Sequence, residues 1–341
     1  MLVLGIETSC DESSASLVAY GNRVVSNVVA SQVDLHGVYG GVVPEIAARA
    51  HVESVVPVLE KALAAFDGRP DLVAVTVGPG LVGSLAVGVS AAKSLAWAWG
   101  VPLVAVNHVE AHAIAPVCEG IKLGFPFLAL VVSGGHTLLA EVGGVDDMRI
   151  VGETQDDALG EAYDKVSKYL GLGYPGGPVI DSLSRTGDPK AFTFPRPMIR
   201  SGDYNFSLSG LKTAVVRCVE KERGRGADVA PADVAASFQA AALEVVVKKT
   251  VDAALELGLY RVVVGGGVAC NSALRSMLES ACERQAIELV LPSPALCTDN
   301  AAMVAARGQQ LFDAGFRAGL DTDVYPNLRL GEHVPGSEAQ R

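Results

Sequence analysis

The stretch Leu2-Val-Leu-Gly-Ile-Glu-Thr-Ser-Cys-Asp-Glu12 and its later echo Phe127-Leu-Ala-Leu-Val-Val-Ser-Gly-Gly-His-Thr137 decide the fold class. Each is an apolar run that ends in small and polar residues, the pattern of a buried strand entering a turn. Outward from the first, strands are expected at 15–20 and 23–30, completing an antiparallel meander. A helix at 44–65, a strand at 72–77, an alanine-rich helix at 83–99 and a strand at 103–106 follow, and a helix starts at Asn107. After Gly124-Phe-Pro126 the order begins again, with strands at 127–133, 136–142 and 148–153. Helices are expected near 160–170 and 179–186, then a loop-rich insert at 189–209 and helices near 211–222 and 231–257. A strand at 261–264, a helix at 271–285, a strand at 288–291 and a helix at 299–314 complete the pattern. Two copies of one topology about 125 residues apart predict a duplicated α/β fold. The expected domains are 1–125 and, with the helical insert, 126–330; the polar tail 331–341 is expected to fray.

Composition agrees with a large core. Half of the 341 residues are hydrophobic and 19% are charged, which excludes intrinsic disorder. No apolar run reaches the roughly 18 residues of a membrane span, and the first residues lack the basic segment of a signal peptide. A soluble, cytoplasmic chain with no membrane association is expected. With 27 basic and 38 acidic residues the net charge is −11. A nucleic-acid partner must then be met by a local basic patch or by another subunit. Lys248-Lys249 and Arg196 with Arg200 are too sparse to form that patch. The six cysteines show no C-x-x-C pair, which favours reduced thiols over a disulfide framework or zinc ribbon.

Three strand-to-turn junctions concentrate small residues: 5–13, 131–137 and 264–271. Glycine lets backbone N–H groups approach a ligand, so such turns can hold phosphate oxygens, although each alone is also ordinary turn chemistry. The third opens a helix at Asn271, where the dipole favours an anion. Gly265-Gly-Gly-Val-Ala-Cys270 misses the last small residue of the dinucleotide fingerprint, and Gly78-Pro-Gly-Leu-Val-Gly-Ser84 lacks the P-loop lysine. A hairpin turn in each repeat, with a triple-glycine turn late in the second, resembles the RNase H-like superfamily of actin, Hsp70 and the sugar kinases. The resemblance implies two such domains with a nucleotide cleft between them.

Val106-Asn-His-Val-Glu-Ala-His112 adds a second chemistry. Asn107 and Glu110 have capping-box spacing, so His108 and His112 fall one helical turn apart on one face. That suits a pair of metal ligands, and equally two histidines satisfied at a domain junction. His36, His51, His136 and His333 are candidates for a third ligand. Asp299 fits better, although it also reads as an ordinary acid at a helix start. The zinc-protease pattern H-E-x-x-H is excluded, because Val109 follows His108 and Glu110 lies about 200° round the helix.

Several motifs together resemble the TsaD family, the tRNA N6-adenosine threonylcarbamoyltransferases once called O-sialoglycoprotein endopeptidases. They are 5–12, Tyr39-Gly-Gly-Val-Val-Pro-Glu45, Gly78-Pro-Gly-Leu-Val-Gly83, His108-x-x-x-His112 and Val132-Ser-Gly-Gly-His-Thr137, with Tyr174-Pro-Gly-Gly177, Ser207-Leu-Ser-Gly-Leu-Lys-Thr213 and 265–271. The resemblance implies transfer of threonylcarbamoyl from threonylcarbamoyl-AMP to N6 of adenosine 37, in tRNAs reading codons that start with A. It implies one divalent ion, Fe2+ or Zn2+, on His108, His112 and Asp299. The nucleotide would be held by Val131, Val132, Ser133, Gly134, Gly135, Asp164, Gly177, Asp181 and Asn271. A paralogue, TsaB, and an ATPase, TsaE, are the implied protein partners. Asp11 or Glu12, beside the first turn, are candidates to accept the N6 proton, with a solvated hairpin tip as the competing account. A nucleotide-binding ATPase of the Hsp70 sort or a small-molecule kinase would use the same turns without the histidine pair. The small residues of 84–97 suit either a partner helix or the chain's own sheet.

Overall fold

The computed structural model describes residues 1–226, 228–332 and 334–337. The first of its two five-stranded sheets contains β1 (Leu2–Glu7), β2 (Glu12–Ala19), β3 (Arg23–Ser31), β4 (Leu72–Gly78) and β5 (Leu103–Asn107), in the order β3-β2-β1-β4-β5. The meander β1-β2-β3 is antiparallel, and β4 and β5 join β1 in parallel. The second sheet contains β6 (Phe127–Val132), β7 (Thr137–Val142), β8 (Met148–Glu153), β9 (Arg261–Gly265) and β10 (Glu288–Val290). Its order is β10-β9-β6-β7-β8, again with β9 and β10 parallel to β6. Traced from the meander outward, the two orders are identical, so the duplicated α/β fold is present.

Every residue of β1, β4, β5 and β6 is buried, as expected of strands whose continuous apolar runs are covered on both faces. β2 starts at Glu12, three residues ahead of the expected strand. Ser13 and Ser14 read as a turn, yet Ser14 donates to the Val28 carbonyl and sits buried in the sheet, as does Ser16 on the Ser26 carbonyl. The small residues of the Val82–Trp99 helix divide: Ser84, Gly88, Ala92 and Ala96 are buried, while Ala86, Ser90 and Ser94 face outward, as does Trp97.

Internal packing separates two units. One comprises Met1–Phe125, Val142–Arg149 and the described residues from Pro292 onward; the other comprises Pro126–Glu141 and Ile150–Leu291. A division in chain order would leave residues 292–330 with the second repeat, whereas they pack with the first. The reason is a seam of small residues between the Ala301–Asp313 helix and the first sheet. A Cβ on Gly5 would stand 2.1 Å from the Ala301 carbonyl oxygen, and one on Gly308 would stand 2.3 Å from Ala74 Cβ. Only glycine allows so close an approach. Residues 333 and 338–341 of the tail lie outside the described residues.

Candidate functional site

The first unit brings His108, His112 and Asp299 together. Asn107 ends β5 and caps the His108–Ile114 helix, its Oδ1 accepting from Val109 N at 2.9 Å and Glu110 N at 3.4 Å. One helical turn then places the imidazoles edge to face, 4.6 Å between centroids. Asp299 arrives from the start of the last helix, where Asn300 accepts from Met303 N and the Ala301 N–H donates to Ser14 Oγ. Asp299 Oδ1 lies 3.0 Å from His112 Nε2 and 3.5 Å from His108 Nε2. All three potential ligand atoms fall within 4.8 Å of one another. Metal–ligand lengths of about 2.0–2.2 Å put neighbouring ligand atoms roughly 3–4 Å apart, so two imidazole nitrogens and one carboxylate oxygen fit a divalent transition metal in number, type and spacing.

The electrostatics differ between the two imidazoles. Burial lowers the pKa of His112 despite its bond to Asp299, which leaves the ring neutral, the state that ligates a metal. Burial also opposes charge on His108, yet the Glu7 and Asp299 carboxylates outweigh it and raise the pKa to about 9. Glu7 is fully buried; burial pushes its carboxyl up, but the charge and hydrogen bond of His108 hold it below the ordinary value.

Two of the alternative third ligands are engaged elsewhere: His36 bonds Gln32, and His51 bonds Ser13 and the Cys10 carbonyl. His136 belongs to the second unit, where its main-chain N–H donates to Ser133 Oγ. His333 lies outside the described residues. Asp11 is buried and Glu12 half-buried, rather than forming a solvated tip. Burial, then the charges of Asp299 and Asp11, push the Glu12 carboxyl up to about 9.

The second unit gathers the other predicted residues around glycine contacts. Residues 131–135 carry β6 into the turn before β7, and an added Cβ on Gly134 or Gly135 would meet nothing within 4 Å. Gly160 N–H donates to the Ser133 carbonyl at 3.1 Å, placing the Leu159–Leu170 helix, and Asp164 on it, beside this turn. Asp164 Oδ1 accepts from Gly176 N at 2.7 Å, next to Gly177. Gly266 is held with φ +91° against the Val132 carbonyl, where a Cβ would stand at 2.3 Å. Beyond it, Asn271 caps the Ser272–Arg284 helix, and Asp181 accepts from Ser272 N and Oγ. Buried Gln239 joins them, accepting from Asn271 Nδ2 at 2.8 Å and donating to Asp181 Oδ1 at 3.5 Å. The geometry is an open run of backbone flanked by a braced polar floor, suited to an anionic group.

The sequence matches the family described as "TsaD: tRNA N6-adenosine threonylcarbamoyltransferase" over residues 23–306. The chain belongs to the TsaD family. Relatives carrying the name tRNA N6-adenosine threonylcarbamoyltransferase include one from Syntrophotalea carbinolica, 50% identical over 97% of this chain and 98% of the relative. Another, from Geobacter sulfurreducens, is 53% identical over 97% of each chain. TsaD members are thus acyltransferases by name. Among solved structures, T. kodakarensis HypF aligns with TM-score 0.62 and 16% identity over 92% of this chain, which spans 48% of that one. Component A of the (R)-2-hydroxyglutaryl-CoA dehydratase of Acidaminococcus fermentans aligns with TM-score 0.51 and 17% identity over 90% of this chain and 97% of that one. These two likenesses show that the chain shares their fold and nothing of the chemistry.

Sequence reasoning passed over Glu7 and Arg307 in the first unit of the TsaD chain and Gln239 in the second. Arg307, 1% exposed, binds Glu110 Oε2 through Nη2 at 2.8 Å and Nε at 3.1 Å, and Gly331 N donates to Glu110 Oε1. The capping box is accordingly half formed. Asn107 N belongs to the β5 ladder, and a buried guanidinium claims the Glu110 carboxylate instead. An acid closing an all-apolar strand was the available clue to Glu7.

Proposed function

We propose that this chain transfers the threonylcarbamoyl group of threonylcarbamoyl-AMP to N6 of adenosine 37 in tRNAs that read codons beginning with A. The observation that carries this is the meeting of His108, His112 and Asp299 in a chain of the TsaD family. N6 is a weak nucleophile because its lone pair is conjugated with the ring, and the mixed anhydride with AMP is already activated. Attack forms the N6–carbonyl bond, breaks the carbonyl–phosphate oxygen bond and releases one N6 proton.

The AMP portion falls to residues 131–135, Asp164, Gly177, Asp181 and Asn271, whose open backbone N–H groups steady the phosphate as charge moves onto it. His108, His112 and Asp299 hold the ion, with Fe2+ and Zn2+ both suited to this donor set. A divalent ion held there would supply Lewis-acid polarisation of the carbamoyl carbonyl, worth roughly several kcal/mol of barrier. Asp11 or Glu12 accepts the N6 proton; Glu12, its carboxyl pushed up to about 9 by burial and the neighbouring acids, can do so only after giving up its own proton.

Of the four basic residues that sequence singled out, Arg196 pairs with Glu244, Lys248 pairs with Asp252 and Lys249 is buried against residues 201–205, while Arg200 is exposed. With a net charge of −11, this supports a tRNA site completed by the paralogue TsaB and the ATPase TsaE, in the cytoplasm. The outward face of the Val82–Trp99 helix, with Trp97 exposed on it and Val52 and Val56 exposed on the Pro44–Leu63 helix packed beside it, is the surface we assign to TsaB. Single-turnover transfer to unmodified tRNA, with metal analysis, tests the assignment. His112→Ala should lose both transfer and metal. Unchanged transfer would overturn it, and ATP turnover without tRNA would indicate a kinase or ATPase.

A further inference from the structure

Glu7 ends β1 with no exposed surface, and an ionised carboxylate in that position is costly unless its oxygens are matched. They are. Oε1 accepts from Ser9 N at 2.6 Å, and Oε2 accepts from Thr76 Oγ1 at 2.6 Å and from His108 Nδ1 at 3.0 Å. The sheet imposes this arrangement. β1 pairs with β4 so that Ile6 faces Val75, which brings Thr76 beside Glu7; β4 pairs with β5 so that Thr76 faces Val106, two residues before His108. The turn after Glu7 is fixed as well. Thr8 Oγ1 donates to the Ser84 carbonyl and occupies the space over Gly88, where a Cβ would stand 2.3 Å from that oxygen.

We propose that Glu7 is the positioning residue of the His108, His112 and Asp299 trio. It holds His108 by Nδ1, so that Nε2 is the nitrogen presented to Asp299 and His112. It is not itself one of the three grouped ligand atoms: its Oε2 is taken by Thr76 and by His108 Nδ1, on the far side of the imidazole from Nε2. Its charge also counts. With two neutral imidazoles, Asp299 alone leaves a divalent cation one charge short of balance, and Glu7 supplies the second negative charge. Carboxylates behind ligating histidines act this way in metal sites, and removing one typically costs about 10–100-fold in affinity.

This inference rests on the trio being a metal site, and the test separates the two. Full-length wild type, Glu7→Gln, Thr76→Val and His112→Ala are compared for Zn2+ affinity by competition with a chromophoric chelator. The Co2+-loaded proteins are compared by visible absorption, and the melting midpoint of the metal-free proteins tracks the fold. Glu7→Gln keeps the side-chain volume and removes the charge; it should bind Zn2+ about 10–100-fold more weakly and shift the Co2+ bands. Thr76→Val leaves Glu7 charged with one donor fewer and should weaken Zn2+ by about 2–10-fold, a smaller share of the same effect. A folded Glu7→Gln protein with Zn2+ affinity within about twofold of wild type and unchanged Co2+ bands would reduce Glu7 to a structural residue. Should Glu7→Gln fail to fold, Thr76→Val decides by the same criterion. Wild type that binds neither metal, or His112→Ala that binds as tightly as wild type, would refute the metal site itself.

Discussion

The first turn of each sheet occupies the same place in the topology, yet the two are built in opposite ways. Between β1 and β2, Thr8, Ser9 and Asp11 are buried, and the turn is packed with side chains that brace His108. Between β6 and β7, Gly134 and Gly135 are exposed, and their Cβ positions are empty. One copy of the fold offers imidazoles and carboxylates; the other offers main-chain N–H groups. Duplication fixed where the strands end, and the residues placed at those ends decide which ligand chemistry each copy supports.

The contrast breaks most sharply at the trio. Asp299→Asn should cut single-turnover transfer by about a thousandfold, the equivalent of several kcal/mol, and deplete bound metal while AMP binding persists. Joint loss of AMP binding, measured by calorimetry, would show that the two chemistries are not separable. Next come the glycines. Gly5→Ala forces a Cβ onto the Ala301 carbonyl and should destabilise the protein by about 2–3 kcal/mol, lowering the melting midpoint by roughly 5–10 °C. Gly134→Ala meets no neighbour, so its midpoint should stay within about 0.5 kcal/mol of wild type. It should still weaken AMP about tenfold, because the methyl intrudes where the phosphate must approach. A Gly134→Ala protein with full AMP affinity would remove that turn from the nucleotide site.

The smallest effect lies away from both turns. Asp156 accepts from Ser207 Oγ, Leu208 N, Ser209 N and Ser209 Oγ at the start of the Ser209–Gly224 helix. Partial burial acts to raise its carboxyl, but these four donors outweigh it and hold the pKa at about 2. A depressed carboxylate contributes stability above its unfolded pKa near 4, and that contribution fades as pH falls through about 2. Solvent screens so exposed a group, so Asp156→Asn should cost only about 0.5 kcal/mol at pH 7, with the difference vanishing in strong acid. A denaturant series at pH 7 and pH 2 checks the sign.

Much of this was legible in the sequence, for identifiable reasons. Strand order followed from apolar runs too short for helices, and the histidine pair from helical spacing after Asn107. Glu7 escaped because its partners, Thr76 and His108, lie 69 and 101 residues away, and only sheet register makes them neighbours. Gln239 sits in the long Pro231–Glu256 helix with nothing local to mark it. Arg307 resembles a surface residue in an alanine-rich helix, since burial of a guanidinium depends on a distant carboxylate. The allegiance of the last helix was hidden likewise, because Gly5 and Ala301 look unremarkable until they touch.

That helix also orders events during synthesis. The histidines leave the ribosome early, but the acid that joins them is encoded almost two hundred codons later, after the whole second repeat. Until Asp299 emerges, the nascent chain has two imidazoles and no third ligand. A product truncated before Asp299 would keep the two histidines and lack the carboxylate that meets them.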